Sequence, residues 1–212
     1  MKKYSAIVLV TLIAAASLPG CKKSGDSTPP KDYGASIRDK TWSGAVTFAG
    51  QKTAYFSVHF SADNSLVWSE SSADYPGKWS INGKKLTITH TANKITADIT
   101  DDGKLMNIVT DDPGVINSCN LLENPNMSLN NTVWRGTMSA YPIELSFMPG
   151  DKIRLLTAAL GTSAIGTFTY TRSASGAVIR FSNSGVLFFF GVIISGSEMK
   201  GSYGYPWEVV KQ

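Results

Sequence analysis

The feature that most constrains this chain is an internal repeat with a spacing of about 90 residues. Pairs of segments match in residue type at similar offsets along the sequence. They are 42–44 (Trp-Ser-Gly) with 134–136 (Trp-Arg-Gly), 77–81 with 166–170, 102–105 with 196–199, and 118–123 with 206–211. Offsets this similar indicate two copies of one structural unit. The alternative is chance similarity among generic strands.

Each copy divides into about eight short segments with the alternating polarity of β-strands. In the first copy, Phe56, Val58 and Phe60 fall on one face of their segment, and the turn-forming pairs Asn82-Gly83 and Asp102-Gly103 separate neighbouring segments. The predicted strands of this copy are 41–48, 54–60, 65–71, 75–81, 85–90, 94–100, 104–109 and 115–122. A meander of eight strands closes most readily as a small barrel. We therefore predict an all-β fold with two tandem small antiparallel up-and-down barrels.

The strand and turn motifs are similar to those of a known family. In the first copy they are Trp42-x-Gly44, the segment 60–64, and Gly77-x-Trp79 followed by Leu86-x-Ile88; in the second they are 147–151 and 166–179. Over about residues 37–212, these motifs resemble the compact lipocalin-like domain of bacterial lipoproteins. The resemblance implies lipocalin-like barrels at 37–128 and 129–212. Side chains alone can fill an eight-stranded barrel, so plugged and hollow barrels are both compatible with the sequence.

The N-terminus has the organisation of an export signal. Lys2 and Lys3 give a positive start, and residues 6–16 are almost entirely apolar or small. This run is shorter than the roughly 20 residues of a membrane helix and has the length of a signal-peptide core. The motif Leu18-Pro19-Gly20-Cys21 resembles the lipobox of bacterial lipoproteins. The resemblance implies cleavage before Cys21 and attachment of acyl chains, palmitate among them, to that residue.

These features predict the layout of the N-terminal region. We assign the signal peptide to 1–20 and a disordered, polar tether to 21–36, where Pro29-Pro30 prevents a helix. Lys22 follows the cysteine directly, so no acidic residue there signals retention in the inner membrane. The predicted location is the cell envelope, on the outer membrane, facing either the periplasm or the cell surface.

Charge and cysteine content exclude several classes of function. The chain has 20 basic and 16 acidic residues. This balance of charge lacks the concentrated basic footprint of a nucleic-acid binder. If Cys21 is acylated, Cys119 is the remaining thiol, and we expect it in a core. His59 and His90 lack the spacing of metal ligands. No nucleic-acid partner, cofactor, metal site or catalytic residue is predicted.

Aromatic residues are the candidates for a ligand site. Trp68, Tyr75 and Trp79 lie near two neighbouring predicted hairpins. Rings on a barrel rim can hold a sugar or another flat ligand. The alternative is that they fill the barrel, and Trp79 is expected in the core because it alternates with Ile81.

The segment 186–194 is apolar on both alternating faces. A barrel strand normally shows one face to water, and contiguous apolar patches rarely stay exposed. We assign Leu187, Phe189 and Ile193 to the outer face and predict that they pack against the first barrel. A homodimer, a ligand and the bilayer surface are the alternative covers.

The predicted function is a lipid-anchored, non-catalytic binding or scaffolding module of the cell envelope. Its predicted partners are the membrane, through the lipid anchor, and a small-molecule, glycan or protein ligand. One alternative is a carbohydrate-binding accessory protein that uses the aromatic rings. Another is a hydrolase whose site is assembled from distant Asp, Glu and His residues, and a third is an assembly or inhibitor protein that acts through its surface.

Overall fold

The computed structural model describes residues 31–48, 53–91, 93–111, 114–157, 164–183, 186–203 and 205–212. The predicted signal peptide, Cys21 and the tether up to Pro30 lie outside the described residues. Asp32–Gln212 form one compact unit. None of the helical structure in the described ranges is long and apolar enough to cross a membrane.

The described chain consists of antiparallel β-strands preceded by one short 3-10 helix, Tyr33–Ser36. The first eight strands are β1 Lys40–Phe48, β2 Thr53–Phe60, β3 Ser65–Ser69, β4 Asp74–Asn82, β5 Lys85–His90, β6 Asn93–Ile99, β7 Leu105–Thr110 and β8 Gly114–Leu122. The second eight are β9 Thr132–Met138, β10 Tyr141–Met148, β11 Lys152–Thr157, β12 Ala164–Arg172, β13 Val178–Asn183, β14 Val186–Ile193, β15 Glu198–Tyr203 and β16 Tyr205–Lys211. Each set forms its own eight-stranded meander. The predicted all-β fold with two tandem up-and-down barrels is confirmed.

The local pattern explains where the strands of the first barrel begin and end. All eight predicted strands agree with β1–β8 to within two residues at either end. Phe56, Val58 and Phe60 point into the barrel, as their alternation predicts. Gly83 and Gly103 adopt the positive φ angles, 58° and 80°, that their tight turns require.

Both barrels are filled by their own side chains. The interior of the first holds mainly aromatic and aliphatic residues, namely Trp42, Val46, Phe56, Val58, Phe60, Leu66, Trp68, Trp79, Leu86, Ile88, Ile95, Ala97 and Ile99, with Ile37 beside them. The core of the second has the same character and includes Trp134, Met138, Ile143, Leu145, Phe147, Ile153, Leu155, Tyr170, Phe181, Phe189, Met199, Trp207 and Val209. In the part of the chain that the structure describes, neither interior is an open calyx.

The Trp-x-Gly motif has the same structural role in both copies. Trp42 lies on β1 and Trp134 on β9, the first strand of each barrel, and both are buried in the core. A Cβ atom at Gly44 would collide with the carbonyl oxygen of Ser118 on β8, and one at Gly136 with that of Glu208 on β16. The tryptophan therefore fills the core, while the glycine lets the last strand approach the first.

The two barrels differ in how they close. In the second, β16 pairs with β9 and completes a hydrogen-bonded ring. In the first, β8 pairs with β1, but β7 and β8 form no ladder with each other within the described residues. We call this pair of neighbouring strands the seam. Inward-facing side chains along the seam are only half-buried: Leu105, Ile108, Ile116 and Cys119.

The predicted outer face of β14 is wrong. Phe189 and Ile193 lie inside the second barrel, where Phe189 stacks between Phe181 and Trp207 at centroid distances of 4.2 and 4.6 Å. The side chain of Leu187 lies outside the described residues. The outward position is that of Val192, which is fully buried where β14 lies against β2 of the first barrel. The two barrels therefore do pack together along β14, but through the opposite face.

The predicted tether also ends too late. Asp32 accepts a hydrogen bond from the Gly34 N–H at 2.8 Å and forms an ion pair with Arg38 at 2.6 Å. These two contacts fix the start of the 3-10 helix. The Tyr33 hydroxyl donates to Asp101 at 2.8 Å. Residues 33–36 thus belong to the first barrel.

Candidate functional site

The structure brings together two of the three predicted ligand-binding residues. Trp68 on β3 and Tyr75 on β4 are directly paired, at the end of the first barrel where β3 runs into β4. Trp79 lies toward the other end of β4, where its indole N–H donates to the carbonyl oxygen of Ser61 at 3.0 Å. Trp79 is buried in the core, as its alternation with Ile81 predicts. The candidate site is therefore the mouth formed around Trp68 and Tyr75.

Trp68 is the middle ring of a three-ring stack. Phe56 covers one face at a centroid distance of 4.1 Å, and His90 stacks on it at 4.6 Å, both nearly parallel to the indole. Trp68 is only 5% exposed. Because Phe56 and His90 cover the two faces of the indole, a sugar cannot stack on Trp68 in the way that the sequence-based hypothesis requires.

A small cavity lies beside this stack. Its volume is about 50 Å³. Apolar and polar side chains from several strands line it, namely Val46, Trp68, Glu70, His90, Asn93, Ile95, Thr110 and Ile116. A space of this size holds a few water molecules and excludes a sugar ring or a lipid chain.

Tyr75 is the one predicted ligand residue near the surface of this mouth. It is half-buried, its hydroxyl lies 3.1 Å from the Ser72 hydroxyl, and its ring lies 6.4 Å from that of His90. The mouth thus offers one accessible aromatic ring instead of the predicted platform of three.

A clamp between the barrels was not predicted from the sequence. Arg180 on β13 donates to the carbonyl oxygens of Glu70 and Ala73 at 2.6 and 2.9 Å, and to the Asp74 carboxylate at 2.8 Å. The second Asp74 oxygen accepts from the Ala174 N–H at 2.8 Å. Partial burial raises the pKa of Asp74, but the hydrogen bonds from Arg180 and Ala174 outweigh it, so the pKa lies below its ordinary value.

Buried hydroxyl groups continue this junction. The Ser175 hydroxyl, in the turn between β12 and β13, is hydrogen-bonded to Ser57 on β2 and lies 2.8 Å from that of Ser173. Thr41 on β1 donates to the Ser175 carbonyl oxygen at 3.4 Å and lies 3.0 Å from the His59 ring nitrogen. The sequence carries one signal for this junction. The outer face of β1 and β2 bears hydroxyl groups and lacks the charged residues that are usual on a face exposed to water.

Three depressions follow the outer surface around β9 in the second barrel. Their volumes are about 200, 300 and 280 Å³, and Arg135, Thr137 and Glu208 each line two of them. Tyr55 of the first barrel lines the first depression, and burial raises the pKa of its hydroxyl. We call the three depressions together the β9 groove.

Ion pairs give the β9 groove both signs of charge. Arg135 pairs with Glu144 at 2.8 Å. The Lys200 ammonium lies 3.0 Å from Glu198 and 3.6 Å from Glu208. The groove therefore offers donors and acceptors together, which suits a polar ligand.

Two side chains named in the sequence analysis, the Cys119 thiol and the Asp102 carboxylate, have shifted pKa values. Burial raises the pKa of the Cys119 thiol to about 12, so it is protonated at neutral pH. The ion pair with Lys104 and a hydrogen bond from Thr100 lower the pKa of the exposed Asp102 to about 2. In the described ranges, no group of three or more His, Cys, Asp or Glu side chains is placed to share a metal ion.

The sequence was also compared with known proteins. No protein-family model matches it, and a search of curated proteins finds no similar sequence.

Proposed function

We propose that this protein is a lipid-anchored lipoprotein of the bacterial cell envelope that acts as a non-catalytic binding or scaffolding module. The lipobox-like motif ending at Cys21 supports the anchor. The polar segment up to Pro30 supports a spacer between the membrane and the two barrels. Acylation by two or more chains holds a protein firmly on a bilayer.

The observation that carries the proposal is that both barrels are packed with their own side chains. A filled barrel has no interior volume for a lipid or a sugar, and the cavity at the mouth of the first barrel is only about 50 Å³. Recognition therefore falls to the outer surface. The Arg180 clamp supports this, because it joins the outer walls of the two barrels into one surface.

The β9 groove is the part of this surface best suited to a polar partner. Its depressions are four to six times the volume of the cavity at the mouth. Exposed side chains of both charges and hydroxyl groups line it. Pockets at the junction of two domains are common binding sites, and Tyr55 places the first barrel at one end of the groove.

The anchor is tested with Cys21→Ser in cells that express the full chain. We expect the wild type to incorporate labelled palmitate and to lose the first 20 residues, and the variant to do neither. Absence of palmitate from the wild type would show that the lipoprotein assignment is wrong.

The binding role is tested by photo-crosslinking in intact cells. A photoreactive residue replaces Thr137 or Val210 in the β9 groove, and the matched control replaces Lys152, which is exposed on β11. If the protein is a scaffold, the groove positions should crosslink to a partner protein of defined mass, and the control position should give no crosslinked product. If instead only a glycan changes the fluorescence of Trp207, the groove belongs to a carbohydrate-binding protein. If neither a groove-specific crosslink nor a glycan response is observed, the proposed binding role is refuted.

A further inference from the structure

The seam combines two properties that are rarely found together on a protein surface. Neither β7 nor β8 contains an Asp, Glu, Lys or Arg residue. Four of their apolar side chains are nevertheless well exposed: Met106 (53%), Val109 (61%), Val115 (64%) and Leu121 (41%). Charged residues are the usual protection of an exposed strand against unwanted pairing.

The other charge-free strands in the described ranges are β2, β3 and β14. Each has one outward-facing residue that is fully buried, namely Ser57, Ser69 and Val192. Other outward side chains of these strands, such as Tyr55 and Val67, are partly buried. The seam departs from that pattern, because four of its apolar side chains are well exposed. This contrast indicates that something covers the seam in the working protein.

The backbone of the seam points to the same conclusion. β7 pairs only with β6, and β8 pairs only with β1, in the part of the chain that the structure describes. Each therefore presents one edge outside a ladder. Such edges accept an additional strand through main-chain hydrogen bonds.

We propose that the seam is a self-association surface, on which the seam of a second copy of this chain docks with two-fold symmetry. Every other described strand is paired on both sides, because the second barrel is closed. The unpaired edges that a second copy offers are therefore those of its own seam. In a two-fold contact each side chain meets the same surface patch of the partner, and a charge-free patch meets itself without repulsion.

The chain's own tether is a poor occupant of the seam. It contains Lys22 and Lys23, and Pro29-Pro30 cannot donate backbone hydrogen bonds to a ladder. The seam also offers no charge to attract a charged partner. A second copy supplies what the seam lacks, namely a neutral edge and an apolar face of the same extent.

The test is sedimentation velocity of the full chain in density-matched detergent, over a range of concentrations. We expect the wild type to form dimers and Val109→Lys/Val115→Lys to weaken dimerisation by on the order of 100-fold, because four lysines would enter an apolar contact. The matched control is Tyr141→Lys, at an exposed apolar position (48%) on β10 of the closed barrel. It should dimerise like the wild type.

A charge-swap experiment keeps the proposal testable if the double variant folds poorly. Val115→Lys and Val115→Asp should each be largely monomeric, and an equimolar mixture should recover dimers. Amide hydrogen exchange in β7 and β8 should become slower as protein concentration rises in the wild type, but not in the single Val115 variants. A wild type that stays monomeric overturns the proposal, as does equal loss of dimer in Tyr141→Lys. Protection of the seam that depends on phosphatidylcholine vesicles, and not on protein concentration, also overturns it and assigns the face to lipid.

Discussion

The two barrels share a repeat, a strand order and a filled core, yet within the described ranges only the second closes by a continuous ladder. The difference lies in the strands beside the seam. The register shifts between Thr96 and Asp98 where β6 meets β7, and between Ala45 and Val46 where β1 meets β8. Such irregularities bend a strand and increase its twist. The corresponding pairs of the second barrel, β14 with β15 and β16 with β9, run in unbroken register.

This comparison shows that an eight-stranded repeat does not by itself dictate closure. A barrel closes only if the last two strands keep the stagger that the ring requires. The first barrel has a register shift on each side of the seam, whereas the one described in the second barrel, between Phe181 and Ser182, lies away from the strands that close it. The first barrel has four half-buried side chains along its seam, whereas Phe168 is the half-buried strand residue that packs against the described core of the second.

The largest expected effect is the loss of a core tryptophan. Trp134→Ala and Trp42→Ala should each cost about 3 to 5 kcal/mol of unfolding free energy. The cost should be greater at Trp134, because its indole N–H also donates to the Thr132 hydroxyl at 2.9 Å, a bond worth about 1 kcal/mol. Urea unfolding of the full chain, followed by circular dichroism, measures both. A greater cost at Trp42 would contradict the view that the second barrel is the tighter one.

The next effect tests closure directly. Gly136→Ala forces the β9 backbone away from Glu208 on β16, and the closed ring cannot relax, so we expect a cost of about 3 kcal/mol. Gly44→Ala presses on the Ser118 carbonyl oxygen of β8, which is held by a ladder on one side only, and also on the buried ring of Phe56, so we expect a smaller cost of about 2 kcal/mol. Gly196→Ala is the control, since its Cβ would meet nothing within 4 Å. Equal costs at Gly44 and Gly136 would show that the seam is as firm as a ladder.

A smaller effect tests how the barrels are coupled. Arg180→Ala removes the hydrogen bonds to Glu70, Ala73 and Asp74 and should cost about 2 kcal/mol. We expect the barrels to unfold in two separate steps in this variant. Arg135→Ala breaks an exposed ion pair and should cost less than about 1 kcal/mol. A single unfolding transition that survives Arg180→Ala would mean that the buried hydroxyl groups are sufficient to couple the barrels.

The smallest effect is the acid sensitivity of the same junction. The pKa of Asp74 is lower in the folded protein than the value of about 3.9 expected when unfolded. Its contribution is therefore fully present above about pH 5 and is lost as the pH falls through the folded pKa. Asp74→Asn should be less stable than the wild type at neutral pH, and the difference should shrink below about pH 4. Titration of both proteins by circular dichroism measures it, and a difference that grows in acid would refute the assignment.

The sequence by itself determined the strands, their inward faces in the first barrel and the equivalence of the two copies. These properties are local, because the alternation at Phe56, Val58 and Phe60 and the turns at Gly83 and Gly103 act within a few residues. The Trp-x-Gly motif could be placed on the first strand of each copy for the same reason.

Only the tertiary structure decided which surfaces are covered. Both faces of β14 are apolar, so alternation cannot say which one is inside, and the pairing of Phe189 with Phe181 decides it. From the sequence, the aromatic rings near Trp68 are compatible with a ligand platform and with a core. The structure decides between them, because Phe56 and His90 stack on the Trp68 indole. Closure likewise depends on the bulges and on the stagger summed around eight strands, which no single segment determines. The open seam therefore could not be predicted from the sequence. The Arg180 clamp could not be predicted either, because it joins residues about 110 positions apart.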